Sequence, residues 1–160
     1  MIKIFGKSFQ KGIVTEELEV IGAELKKTIH KKFSRSFHIR EVDTGSCGAC
    51  ESEIISASNP IYDIQRFGID FAASPRHADA LLVTGPVSKN MEIALRRTFE
   101  TMPEPKFVIT FGDCALDGGI FKDSYYTCKG ARNILPVHAH IPGCPPKPID
   151  LIRALLSFLK

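Results

Sequence analysis

Four of the five cysteines of this 160-residue chain sit in three separate turns, and each turn follows on a stretch that reads as a β-strand. Gly45-Ser-Cys-Gly-Ala-Cys follows Phe37-His-Ile-Arg-Glu-Val, Gly112-Asp-Cys ends Lys106-Phe-Val-Ile-Thr-Phe, and Pro142-Gly-Cys-Pro-Pro ends the stretch from Ile134 to Ile141. A further strand, Ala80-Leu-Leu-Val-Thr, stops at Gly85-Pro86, and Asp70-Phe-Ala is a short one. Short strands that are nearly all apolar belong to a parallel sheet covered on both faces. Ligands of open α/β sheets bind beyond the carboxyl ends of the strands, where strand order reverses. Cys47, Cys114 and Cys144 each follow such an end, so the fold itself would deliver three remote segments to one crevice.

Helical stretches alternate with these strands, as an α/β fold requires. From Glu17 on, Leu18, Ile21, Leu25, Ile29 and Phe33 recur at helical spacing. The residues after Cys50 read as a helix start with acids in its first turn, as the helix dipole favours. Met91, Ala94, Leu95, Thr98 and Met102 mark a third helix, which stops near Pro103. Leu151, Ile152, Leu155, Leu156 and Leu159 mark a last one, entered through Pro148. Residues 115–133 read as loop with a short helix at most. The chain divides into residues 1–35, an N-terminal arm and amphipathic helix, and residues 36–160, an α/β domain that carries the cysteines.

A hydrophobic content of 44% is enough for a core, and a net charge of +3 is too small to imply nucleic acid. The charge is uneven: Lys26, Lys27, Lys31, Lys32, Arg35 and Arg40 crowd one region. That is either a solvated helix face or a surface for a partner subunit or an anionic surface. No apolar run reaches the roughly 18 residues that span a bilayer. The opening Met-Ile-Lys-Ile-Phe-Gly-Lys lacks the apolar stretch of a signal peptide, so nothing here directs export. Five cysteines make a poor disulfide framework. In a reducing cytoplasm, clustered cysteines are more often metal ligands.

Four thiolates around one point suit a soft metal or an iron–sulfur cluster. A redox dithiol at Cys47 and Cys50 would leave Cys114 and Cys144 unexplained. Zinc accepts four thiolates as well, although structural zinc usually shows two CxxC-like pairs and only one exists here. One pair plus two distant single cysteines suits a cluster at a sheet edge better, and the proline after Cys144 matches the Cys-Pro ending of ferredoxin-type sites. Cys128 competes with Cys114 or Cys144 for the fourth ligand place, but its surroundings lack the Gly/Pro turn, and a plain thiol is the simpler reading. His138 and His140 stand two apart on a strand and share a side: a metal pair, or one polar face. Glu51 and Glu53 are first-turn helix acids, or carboxylates that pass protons. Arg76 and His77 precede the strand at Ala80, either as a surface pair or as cations that favour an added electron on a cluster. There is no Gly-rich phosphate loop and no coherent Ser-His-Asp set, so a free-standing hydrolase finds no support.

Four motifs, taken in order, resemble the small subunit of membrane-bound, energy-converting nickel–iron hydrogenases. They are Asp43-Thr-Gly-Ser-Cys-Gly-Ala-Cys-Glu-Ser-Glu-Ile, Ser74-Pro-Arg-His-Ala-Asp-Ala-Leu-Leu-Val-Thr-Gly-Pro-Val, Phe111-Gly-Asp-Cys-Ala and Pro142-Gly-Cys-Pro-Pro. That family is homologous to the cluster-carrying small subunit of respiratory complex I. The resemblance covers about residues 37–158 and implies a flavodoxin-like fold and one 4Fe–4S cluster on Cys47, Cys50, Cys114 and Cys144. It gives Cys128 no ligand role, matches Glu53 to an acid of the motif, and matches Arg76 to an arginine near the corresponding complex I cluster. The complex I branch typically has two adjacent cysteines where this chain has Cys47-Gly-Ala-Cys50, and it tends to lack Thr-Gly-Pro-Val, so the hydrogenase branch is favoured. The resemblance further implies a subunit inactive alone, on the cytoplasmic face of a membrane. It would relay electrons between a nickel–iron site in a large subunit and a ferredoxin-like subunit, next to membrane-arm subunits. The rival readings are a complex I-like quinone- or sulfur-linked oxidoreductase and a zinc-stapled structural subunit.

Overall fold

The computed structural model describes residues 15–160. Five strands, β1 (Phe37–Asp43), β2 (Ile69–Phe71), β3 (Ala80–Thr84), β4 (Phe107–Phe111) and β5 (Ala139–Ile141), form one sheet in the order β2-β1-β3-β4-β5. Every pairing is parallel. This is the doubly wound, flavodoxin-like order, and its switch point lies between β1 and β3.

The helices are α1 (Thr15–Phe33), α2 (Ala49–Ala57), α3 (Lys89–Thr101), α4 (Asp113–Asp117) and α5 (Pro148–Leu159). Alternation along each strand divides the core into two layers. Ala80 and Leu82 of β3 join Ile39, Ile109 and Phe111 under α1, α2 and α5. Leu81 and Val83 join Val42 and Val108 under Leu95 of α3, with Met102, Ala131 and Leu135. β3 is thus apolar on both faces because both faces are covered. Among the described residues, no helix is long and apolar enough to cross a membrane.

Three details differ from the sequence reading. The stretch from Ile134 to Ile141 yields only the three residues of β5. Pro136 has no N–H for a ladder, and the His138 ring accepts the Val108 N–H at 3.0 Å where a backbone carbonyl would otherwise do so. On α3 the inward face runs through Leu95 and Phe99, while Ala94 is exposed. The bulky phenyl ring gains more from burial than one methyl group does. The sequence sets residues 1–35 apart from the domain, yet the described part of that region is integral to the core. Leu18, Leu25 and Ile29 of α1 lie in the same buried cluster as Leu151, Ile152 and Leu155 of α5. Gly22 lets the helix approach closely, since a Cβ there would lie 2.3 Å from the Phe67 ring. The arm expected at residues 1–15 lies, apart from Thr15 at the start of α1, outside the described residues.

At the amino ends of the strands, Asp79 ties three pieces together. Its carboxylate accepts from Arg35 Nη1 at 2.8 Å and Nη2 at 2.6 Å, and from the His38 backbone N–H at 2.9 Å. Asp79 is buried, so removing it strands a donor at the start of β1. Asp79→Ala is expected to lower unfolding stability by about 1–3 kcal/mol, read as a lower urea midpoint at unchanged slope.

Candidate functional site

The opposite edge of the sheet carries the chemistry. After β1 the chain turns on Asp43, whose carboxylate accepts the backbone N–H groups of Gly45 and Ser46, each at 2.8 Å. Ser46 Oγ then accepts the Gly48 N–H at 2.9 Å and donates to Glu51 at 2.6 Å. These bonds wrap the Cys47–Cys50 segment onto the start of α2. Gly48, between the two cysteines, has φ +86°, a conformation that favours glycine.

The turn is locked to the end of β3. Thr44, fully buried, donates its N–H and its hydroxyl to the Thr84 carbonyl, and its hydroxyl accepts the Val87 N–H at 3.1 Å. The Cys114 and Cys144 loops are locked to one another in the same manner. The Asp113 N–H donates to the Gly143 carbonyl at 2.9 Å, and the Asp113 carboxylate accepts the Gly143 N–H at 3.0 Å.

Cys47, Cys50, Cys114 and Cys144 consequently line one cleft, with Pro86 and Phe121 among its other walls. Cys47 and Cys144 are exposed, and Cys50 and Cys114 are half-buried. Two glycines keep room at the sulfurs: a Cβ on Gly112 would lie 2.8 Å from Cys50 Sγ, and one on Gly119 would lie 3.0 Å from Cys114 Sγ. Burial pushes the Cys50 thiol up to about 12, with further contributions from Glu51 and from Cys114, Cys47 and Cys144. Burial also raises Cys114, partly opposed by the Ile120 backbone N–H at its sulfur. Bare thiolates here repel one another and face incomplete solvation, and a cationic centre shared among them removes both costs. The donor set and the glycine-lined cradle therefore fit an iron–sulfur cluster. Among the described residues, no three His, Cys, Asp or Glu side chains close on a single point as ligands of one ion would.

The remaining candidates fall elsewhere. Cys128 donates to Glu92 of α3 at 3.4 Å and does not line the cleft. Arg76 lies ahead of Ala80, the first residue of β3, and is not among the cleft-lining residues. His138 and His140 are engaged separately: His138 with the Val108 N–H, and His140 with Thr110 Oγ1 at 3.0 Å. Glu53 is half-buried on α2 with no hydrogen bond or ion pair among the described residues. Glu51 is held by Ser46 through one oxygen, while its other oxygen is buried without a partner. Sequence reasoning passes over Asp43, Thr44 and Asp113 as holders of the loops. The available signal is position, because Thr44 and Asp113 directly border a glycine of a cysteine turn and Asp43 stands two residues before one.

The family described as "NADH ubiquinone oxidoreductase, 20 Kd subunit" matches residues 47–158. Formate hydrogenlyase subunit 7 of Escherichia coli is 44% identical over 79% of this chain, which spans only 49% of that protein. A probable membrane-bound hydrogenase subunit of Pyrococcus furiosus is 41% identical over 81% of this chain and 78% of its own length. An NADH-quinone oxidoreductase subunit of Carboxydothermus hydrogenoformans is 46% identical over 71% of this chain and 69% of its own. Among solved structures, the membrane-bound sulfane sulfur reductase, an archaeal respiratory membrane complex, has a chain with TM-score 0.70 and 31% identity, covering 85% of this chain and 74% of that one. A chain of an NAD+-reducing [NiFe]-hydrogenase shares the fold at TM-score 0.59 and 16% identity, covering 78% of this chain and 92% of that one.

Thr44→Val keeps the shape of that buried side chain but leaves the Val87 N–H unpaired. We expect a loss of about 1–3 kcal/mol in unfolding stability, together with faster iron loss from reconstituted protein during gel filtration.

Proposed function

Because the chain belongs to the NADH ubiquinone oxidoreductase 20 Kd subunit family, whose relatives are subunits of oxidoreductase complexes, we propose that it is the electron-transfer subunit of a membrane-bound nickel–iron hydrogenase. Cys47, Cys50, Cys114 and Cys144 would hold one 4Fe–4S cluster. When bound, such a cluster accepts and releases single electrons at a potential tuned by hydrogen bonds to its sulfurs and by solvent exposure. The observation that carries this reading is the arrival of four cysteines from three remote loops in one cleft.

This chain's own residues would tune and present that centre. The Ile120 N–H aimed at Cys114 disperses negative charge on the sulfur, which favours the reduced state. Phe121 lines the cleft, and its neighbour in sequence, Ile120, is 80% exposed. Apolar surface of this kind at a redox site suits burial against a partner, here the large subunit with its nickel–iron centre. A ferredoxin-like subunit would complete the electron path, and membrane-arm subunits would hold the assembly at the cytoplasmic face of the membrane. Glu53, with no partner among the described residues, is the acid left free to pass protons, whereas Glu51 is tied to Ser46.

A second reading, a complex I-like quinone- or sulfur-linked oxidoreductase, is favoured by the similarity to the sulfane sulfur reductase chain and to the NADH-quinone oxidoreductase chain. The accompanying large subunit separates the two, since a pair of CxxC nickel-binding motifs marks a hydrogenase.

Anaerobic reconstitution followed by iron and acid-labile sulfide analysis should give about four irons per chain and a reduced-state EPR signal. Stoichiometric zinc without iron would instead identify a structural site. Serine at position 47, 50, 114 or 144 is expected to abolish iron binding, and Cys128→Ser to retain it; equal loss in Cys128→Ser would refute the ligand assignment. In the assembled complex, Glu53→Gln is expected to slow hydrogen turnover more than Glu51→Gln does, at unchanged cluster potential. An unaltered rate would reduce Glu53 to a helix-start acid.

A further inference from the structure

The amino-terminal edge of the sheet has a second feature, far from the cysteines. A groove of about 600 Å³ runs between the second half of α1, the start of β1 and Gly68. Its floor is carbon, from Ala23 and Ile29, and its lip carries Lys26, Lys27, His30 and Arg35.

The charge on α1 is strongly divided. Three of the acids on α1 are taken up by cations elsewhere in the chain: Glu17 by Arg153, Glu19 by Arg66, and Glu24 by Lys160. Arg35 is committed to Asp79. Lys26, Lys27 and His30 form no ion pair among the described residues and are exposed. The negative end of the helix dipole accounts for cations in the last turn, namely His30, Lys31 and Lys32. It does not reach Lys26 and Lys27, which lie more than a turn earlier. Residues 1–14 repeat the same two chemistries in sequence, with Lys3, Lys7 and Lys11 set among Ile2, Phe5 and Phe9.

We propose that this groove seats the phosphate headgroup and first acyl carbons of an anionic phospholipid, docking the amino-terminal edge of the chain on a membrane surface. Ammonium groups over a carbon floor match the order of phosphate and hydrocarbon in a lipid, and flexible lysine stems can follow it. An acidic protein helix fits less well. Such a helix is about 10–12 Å across and fills roughly 500 Å³ per turn, so the groove would admit little more than one turn. The inference shares with the functional reading above only the nearness of a bilayer. Vesicle binding requires no electron transfer, so either can fail without the other.

The test is flotation of the full chain with vesicles of phosphatidylcholine alone, or with about 30% phosphatidylglycerol added. Binding is expected to the anionic vesicles only. A lysine near such a surface contributes about five-fold to binding, so Lys26→Gln with Lys27→Gln should weaken it about 30-fold. Lys89→Gln with Lys122→Gln removes the same charge from exposed positions at the cysteine edge and should change binding by less than about three-fold. Ala23→Gln fills the groove at constant charge and should weaken binding several-fold. Equal effects of the two lysine pairs, or full binding by Ala23→Gln, would overturn the groove as the seat. Failure to bind anionic vesicles alongside tight binding of polyglutamate would overturn the lipid in favour of an acidic polypeptide.

Discussion

β1 and β3 run parallel from Ile39 opposite Ala80 to Asp43 opposite Thr84, and this pairing sets the height at which their turns leave the sheet. β4 and β5 continue the same direction, with Phe111 opposite Ile141. A parallel strand must return through a covering helix, so every turn after a strand opens on the same edge. The cysteine cleft depends on this. Reversing β1, β4 or β5 would carry its cysteine to the far side of the molecule. The short bonds that lock the turns, Thr44 to Thr84 and Asp113 to Gly143, refine positions that strand direction has already assigned.

The cleft is a place where the bare protein is at a disadvantage. Cys50 and Cys114 are held where burial and neighbouring thiols oppose ionisation. Glu41, on β1, is likewise raised by burial and then by Glu51. An acid-rich, sulfur-rich edge of this kind accumulates unfavourable terms that an inorganic cation core would offset. The glycines at 112 and 119 serve the same end, since side chains there would displace the sulfurs.

The two ends of the strands thus have opposite character. The carboxyl end gathers thiols and acids, with apolar side chains exposed beside them. The amino end gathers lysines around a carbon-floored groove, braced by Asp79 and Arg35. β1, seven residues long, separates them by about 20 Å. The proposed cluster site and the proposed lipid seat can therefore occupy one small domain without sharing residues.

Much of this is legible in the residues themselves. The apolar runs at β3 and β4, the helical spacing of Leu18, Leu25 and Ile29, and the glycine turns at the cysteines reflect local periodicity and backbone freedom, which each segment carries wherever it sits. Strand order, the loss of all but three residues of β5, and the merging of α1 into the main core reflect packing between segments distant in sequence. The separation of Cys128 from the other cysteines and the different environments of Glu51 and Glu53 are of the same kind. A sequence states which side chains are available and how each short stretch prefers to fold. Which of them meet is decided only when the sheet closes, because contact energies depend on distances that no local preference sets.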